Sequence, residues 1–556
     1  MAASAETDGA RIGAFAPLRE KTFRTIWTAS LFSNFGQLIL GVGAAWEMTR
    51  LSSSPSMVAL VQTAMMLPLM LVALPAGAVA DMFDRRRIAL VGLGFAIVSS
   101  AALTVLAVLD LTTPWLLLGF CVLIGGGVAL YAPSWQASIG EQVSARNLPA
   151  AVALGTISYN IARSFGPAIG GFVVLAFGAK AAFGINAAFY IPLWLAFFAW
   201  SRRHTPSRLP PERIDRAIVA GGRYALHSPP VRTSLVRALA FGLASATASA
   251  LAPLVAKTML GGDAAVYGIL LGATGVGAVL GALFVSDIRT RIGSEIAVRI
   301  FAIGTGLSLL VVGFSHSLAV TCAAFFVIGA CNILTVALIN VSVQLSAPRW
   351  VTARALSLYT SALTAGIGIG AWAWGEVAAH WDVAIAFLAS GVVTMATSLL
   401  GFVFRLSGEA EVDTETIDIG YEPEVALGLT LRSGPVVIEV EYDVEPDRAR
   451  EFYDVMVKLQ RVRNRIGGFD WSISRDIADP AIWVERYHCP TWGDYLRMRD
   501  RYTQNEYELQ ERADSFNRKG HGHRVRRRLE RPFGSVRWKA DSPDPYRGST
   551  VTYIGP

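Results

Sequence analysis

Twelve long stretches of this chain carry almost no charge, and that leaves few ways to fold it. They run approximately over 24–48, 56–80, 88–109, 113–138, 150–178, 181–200, 235–256, 265–286, 295–314, 318–342, 352–378 and 383–404. A hydrocarbon layer about 30 Å thick is crossed by roughly 20 apolar residues in a helix, and unpaired backbone groups in lipid leave little alternative to helix. The expected fold up to residue 405 is therefore an all-α polytopic membrane protein of twelve transmembrane helices. Composition agrees: 53% of residues are hydrophobic, 16% charged, and the mean hydropathy is +0.44. Beyond residue 405 polar and charged residues become dense, which marks a second region that prefers water.

The arginines set the direction of the spans, because short basic loops stay cytoplasmic. The N-terminal segment 1–23 with Arg11, Arg19 and Lys21, the cluster "DRRR" at 84–87, Arg146, the stretch 201–232, Arg289 with Arg291, and Arg349 with Arg354 all fall on one face. The other face offers little beyond Arg50, Lys180 and Lys257. Both termini are expected in the cytoplasm of a multi-pass plasma-membrane protein. The first apolar run lacks a convincing cleavage site and reads as an uncleaved span. The net charge of +7 is then a property of these loops, and no nucleic-acid partner is expected. Cys121, Cys322, Cys331 and Cys489 have no paired spacing, so neither a disulfide framework nor a metal site is implied. The chain has no Gly-rich phosphate loop ending in Lys-Ser/Thr, and no cofactor is expected.

The runs fall into two halves, 24–200 and 235–405, joined by a Pro- and Arg-rich connector, 201–234. "QVSARNLPAAVALG" at 142–155 and "QLSAPRWVTARALS" at 344–357 align about two hundred residues apart, each leading into a Gly-rich run. A parallel duplication of six-helix halves is a transporter arrangement that puts the substrate between the halves near the midplane.

"GAVADMFDRRR", 77–87, joins the second and third runs. Asp81 places a negative charge at a helix C-terminus, where the macrodipole opposes it, so it needs a cationic partner. Gly77, Asp81, Arg85 and Arg86 resemble the loop signature of the major facilitator superfamily; Met82 and Asp84 depart from it. The resemblance implies that Asp81 latches the cytoplasmic side by pairing with helix eleven, and Arg354 begins that run on the correct side. A degenerate trace, "GALFVSDIRTR" at 281–291, has its acid, Asp287, displaced by two residues and is assigned orientation and packing only.

In the fifth run, "RSFGPAIGG" resembles the signature of drug and proton antiporters of that superfamily through Gly166, Pro167, Gly170 and Gly171, with Ala162 in place of an earlier glycine. Ala162, Gly166 and Gly170 recur every four residues and form a stripe along which another helix can approach; Pro167 favours a bend. The fourth run departs from such exporters: Cys121 stands where an arginine precedes Gly125. Arg163 lies beside the stripe, about thirteen residues and roughly 20 Å into the helix. An arginine at that depth costs about 2.5–3.5 kcal/mol on insertion scales, so it should face protein or water. Tyr159 and Asn160 share its face. The equivalent "YTSALTAGIGIG" at 359–370 carries no charge, so Arg163 is the candidate for an anionic or carbonyl-rich substrate group or for tuning a coupling proton. Asn34, Gln37, Gln62, Tyr131, Gln136 and Asn332 are further candidates to line the cavity. The resemblance as a whole, over about 20–405, is to the branch with enterobactin-type siderophore exporters and secretion effectors. It implies export of a small organic molecule by alternating access, driven by the proton gradient.

Residues 406–434 read as a linker, 435–540 as a cytoplasmic domain and 541–556 as a tail. "VVIEVEYDV", a helix over 446–466, "FDWSISRDI", "AIWVERYHC", a helix from Thr491 toward Phe516 and a strand near 523–532 give the order strand-helix-strand-strand-helix-strand of a ferredoxin-like fold. The segment resembles antibiotic-biosynthesis monooxygenases, which implies a cofactor-independent oxygenase pocket with Asn464, Trp471, Trp483, Trp492 and His488 as conceivable lining. Tryptophans on strands are more often core, and the preferred role is regulatory or a homodimer contact. "HGHRVRRRLERPF" at 521–533 reads as a solvated or lipid-facing basic edge. The alternative reading is a membrane-tethered enzyme or sensor in which this domain does the work.

Overall fold

The computed structural model describes residues 15–82, 84–144, 147–200, 214–406, 423, 425–427, 429–518 and 524–530. It divides into two compact units. The first comprises Met1–Ile218, Thr233–Ser342 and Leu356–Leu406; the second comprises Val219–Arg232, Val343–Ala355 and Ser407–Pro556.

The first unit is helical. Its N-terminal half contains α1 (Lys21–Leu51), α2 (Pro55–Met82), α3 (Arg85–Val108), α4 (Pro114–Gln142), α5 (Leu148–Phe177) and α6 (Ala179–Ala199). Local chemistry starts these helices. Asp84 accepts from the backbone N–H groups of Arg86 and Arg87, and Thr113 caps α4 ahead of Pro114. Gly178, at φ 77°, makes the left-handed corner between α5 and α6 that a side chain would strain.

After the connector helix α7 (Ile214–His227) comes α8 (Pro229–Ser245). The expected run 235–256 is not one helix: it breaks into α8, α9 (Thr247–Ala250), α10 (Ala252–Leu254) and a π-turn over Val255–Met259. Pro253, in the first turn of α10, removes a backbone donor and separates α10 from α9. The remaining helices are α11 (Ala264–Leu283), α12 (Val285–Ile292), α13 (Ser294–Phe314), α14 (Leu318–Ser346), α15 (Arg349–His380), α16 (Val383–Ala396) and α17 (Leu400–Val403).

Among the described residues eight helices are long and apolar enough to cross a membrane: those in α3, α4, α5, α6, α11, α13 and α14, and the segment Val383–Val403. Pro55–Leu71 is a shorter apolar helix. The other expected runs lie in α1 and α15, which are helical but more polar, and in the broken segment after α8.

Small residues set the packing, as they must where lipid offers no hydrophobic drive. α1 lies against α5 and α6, α2 and α3 against α4, and α13 against α16. The two halves meet along α5 and α11, where a Cβ built on Gly268 would lie 2.9 Å from the Cα of Gly171. Toward the end of the bundle where α1 turns into α2, Trp46 stacks on Tyr267 at 6.1 Å and the Lys257 ammonium donates to the Thr49 carbonyl. Thr63 on α2 donates to the Gly368 carbonyl on α15 at 2.8 Å.

The second unit contains an antiparallel sheet of order β2-β3-β1-β4, built from β1 (Val436–Asp443), β2 (Phe469–Arg475), β3 (Ile482–Cys489) and β4 (Arg524–Leu529). α18 (Ala449–Ile466) connects β1 to β2; α19 (Trp492–Arg499) and α20 (Gln504–Asp514) connect β3 to β4. The helix expected from Thr491 to Phe516 is thus two helices. Thr503 and Glu506 form a capping box that starts the second one. Phe452, Met456 and Leu459 of α18 are buried against Ile438, Val440 and Tyr442 of β1.

Within this core sits a buried ion pair. Arg463 of α18 reaches both oxygens of Glu485 on β3, at 2.9 and 3.1 Å, and also donates to Tyr502 and Gln510. The Trp471 indole N–H donates to Glu485 Oε1 at 2.9 Å. With its lone pairs taken up in this way the carboxylate tolerates burial.

Candidate substrate site between the two halves

The stripe on α5 and the arginine beside it face different neighbours. Ala162 is fully buried, and Cβ atoms built on Gly166 and Gly170 would lie 3.0 and 3.1 Å from Leu38 and Val42 of α1. Gly171, on the adjacent face, touches Gly268 of α11. Pro167 lies inside α5 without ending it. The small residues therefore seat α1 within the first half and α11 of the second half.

Arg163 is half-buried, and its charge acts on the hydroxyl of Tyr359 on α15. Tyr359 is itself buried and donates to the Val336 carbonyl of α14 at 2.7 Å. The Tyr359 hydroxyl therefore ties α15 to α14 within the second half and lies within electrostatic range of Arg163 on α5. One turn earlier, Tyr159 is 46% exposed, and Tyr131 of α4 is buried. The Tyr131 hydroxyl lies 3.4 Å from that of Ser33 on α1, and its ring meets Tyr190 edge-on at 6.4 Å. Asn34 donates to the Ser158 hydroxyl at 3.3 Å. Chemically, α5 carries one fixed positive charge, and α1, α4 and α5 present hydroxyl and amide groups that hydrogen-bond one another; a guanidinium is suited to oxygens of a small molecule.

The other candidates are not all brought to this point. Asn160 is half-buried on α5, and Asn332 lies one turn before Val336 on α14. Gln37 and Gln62 are half-buried on α1 and α2, and Gln136 is exposed on α4. Sequence reasoning missed Tyr359, although it begins the very segment whose lack of charge was noted. It also missed a buried pair, Arg237 of α8 with Glu295 of α13. Glu295 in addition accepts from the Leu406 backbone N–H at 3.0 Å, where the helical unit ends.

Of the loop signature, the side chains of Gly77 and Asp81 lie outside the described residues. Arg85 pairs with Glu141 of α4 at 3.0 Å, and Arg86 donates to the carbonyls of Phe197 and Phe198 at the end of α6. These arginines tie α3, α4 and α6 together within one half. Arg354 lies beside Gly221 of α7 in the second unit, where a Cβ on the glycine would meet the arginine Cβ at 3.2 Å.

The five residues suggested as an oxygenase pocket do not line one space. Trp471 points into the core toward Glu485, Trp492 is buried in that core, and His488 pairs with Glu530 at 3.0 Å. His488 and Glu485 are three positions apart on β3 and so lie on opposite faces of the sheet. Trp483 packs against Phe452 at 5.8 Å, and Asn464 is half-buried on α18. Burial pushes the Cys489 thiol up to about 12, which fits an inert core cysteine.

Comparison with known proteins gives a consistent picture. Residues 12–533 match the family described as transmembrane secretion effector, of the major facilitator type. An uncharacterized major-facilitator-type transporter of Bacillus subtilis (strain 168), YfiS, is 25% identical over 374 residues, 65% of this chain and 87% of that protein. A peptide transporter solved with alafosfalin superposes with a TM-score of 0.56 at 13% identity, over 69% of this chain and 93% of its own. The nucleoside transporter NupG gives 0.55 at 12%, over 69% and 99%. A bacterial homolog of the human lysosomal transporter Spinster, inward-facing and occupied, gives 0.54 at 13%, over 70% and 95%. At such identities the solved structures share the fold alone.

Proposed function

We propose, since the chain belongs to the transmembrane secretion effector family of the major facilitator superfamily, that it is a secondary active exporter of a small organic molecule. The membership makes it a membrane transporter of the major facilitator type. The finer reading is that twelve spans in two halves rock about a central site, with both termini in the cytoplasm and the proton gradient as the energy source. A drug-like compound, a siderophore or another secondary metabolite is the class of cargo. The observation that carries this reading is Arg163, a permanent charge half-buried in an apolar helix. Such a group is expensive in lipid and useful at a site that must hold polar atoms of a substrate at mid-membrane.

Asp81 and Arg354 are assigned the cytoplasmic latch. Additive rather than coupled effects of Asp81→Asn and Arg354→Ala on transport would remove that assignment. The C-terminal domain is read as ferredoxin-like, with a regulatory or dimer-forming role.

Flux of siderophores, dyes and drugs in liposomes with purified protein, with and without a pH gradient, tests the reading. Flux that rises with the gradient is the expected result. No flux of any of these compounds, together with turnover of a polycyclic phenol by the full-length protein, would favour the membrane-tethered enzyme instead.

A further inference from the structure

The connector between the halves and the turn between α14 and α15 belong to the same compact unit as the C-terminal domain. Tyr224 of α7 is only 3% exposed, although it lies in a short, strongly amphipathic helix of a basic connector. Its hydroxyl donates to the Ser346 carbonyl at 3.2 Å, while Gly221, one turn earlier, packs on Arg354. Ser228 also acts on this hydroxyl, and from the domain Arg465 at the end of α18 and Glu506 in the first turn of α20, which pair with each other, lie within electrostatic range of it. The preceding residue, Arg223, acts on Cys489 at the end of β3. Burial pushes the Tyr224 hydroxyl up to about 12, and Arg465 opposes that rise.

We propose that α7 is a docking helix whose Tyr224 is held by the C-terminal domain at the ends of α18 and β3 and the start of α20, so that the domain brakes movement of the connector and the α14–α15 turn. The chemistry is specific to this partner. The aromatic ring is buried, its hydroxyl donates to the turn, and the Arg465–Glu506 pair lies within electrostatic range of it. A domain that grips both chain segments has leverage over rocking of the halves without touching a substrate. This deepens the regulatory reading of the domain and rests on it.

The test uses purified full-length protein in detergent, immobilised by an N-terminal tag, with a protease site inserted between residues 407 and 422. After cleavage the wild-type C-terminal fragment stays on the resin. Tyr224→Ala and Arg465→Ala each release it, with retention falling at least tenfold, whereas Tyr224→Phe retains it. Free release of the wild-type fragment overturns the docking. Flux of the cleaved proteins in liposomes separates the two levels. A change of threefold or more on release supports the brake. Retention with flux indifferent to release leaves the docking standing and overturns the regulatory role. Release from wild type, with flux altered by deleting the domain, does the reverse. If Tyr224→Ala fails to fold, Arg465→Ala carries the test with the connector intact.

Discussion

At the scale of single residues charge is sparse, and among the described residues Arg237 with Glu295, Arg463 with Glu485 and Arg465 with Glu506 show how a buried charge is held by its counterpart. Arg163 was legible in the sequence because an arginine in an apolar run is conspicuous, and so was Tyr159 one turn away. Tyr359 was not, since a partner almost two hundred residues distant leaves no local signal. Arg463 and Glu485 illustrate the same limit in the soluble domain. The helix and the strand were readable as elements, but the pairing of those two positions depends on the register of α18 over the sheet. Glu485→Ala leaves the Arg463 guanidinium buried without its main acceptor, a loss of about 3–5 kcal/mol. In the full-length protein the melting of the C-terminal domain, followed by tryptophan fluorescence, is expected to shift down or lose cooperativity. Replacing Arg463 and Glu485 together with apolar residues is expected to cost much less.

Elements were readable where a single period runs unbroken. The four strands, α18 and the long apolar helices show such periods. Periods break where one residue resets the chain: Pro253 separates α10 from α9, and Thr503 with Glu506 starts a new helix where a single one is expected from the sequence. That capping box was visible as Thr-x-x-Glu and went unused. The connector helix α7 was passed over because prolines and arginines around it suggested only a loop. Packing of elements gives its own prediction. A Cβ on Gly171 has no room against Gly268, so Gly171→Val must part α5 from α11, with flux lowered about tenfold or more. Gly119→Val on α4, where nothing lies within 4 Å, is expected to transport normally at equal expression.

For the whole molecule, composition and the arginine pattern were enough to see a helical membrane region followed by a domain of different character. The division of the structure is subtler, because the connector and the α14–α15 turn join the soluble domain rather than the helices beside them in sequence. A contact of that kind is set by tertiary packing and has no trace in any window of sequence. If transport resides in the helical region, deleting residues 407–556 leaves flux in liposomes, and loss of flux from a well-folded truncated protein would place the activity in the domain instead.

Arg163, as a group in the path of the substrate, is the residue on which transport is proposed to depend. Saturation curves of flux in liposomes, wild type against Arg163→Gln at matched protein content, address that directly. Loss of a charge-assisted hydrogen bond worth about 1.5–3 kcal/mol predicts a fall of roughly tenfold or more in apparent affinity or rate. Equal affinity and equal rate in a well-expressed Arg163→Gln protein would contradict it.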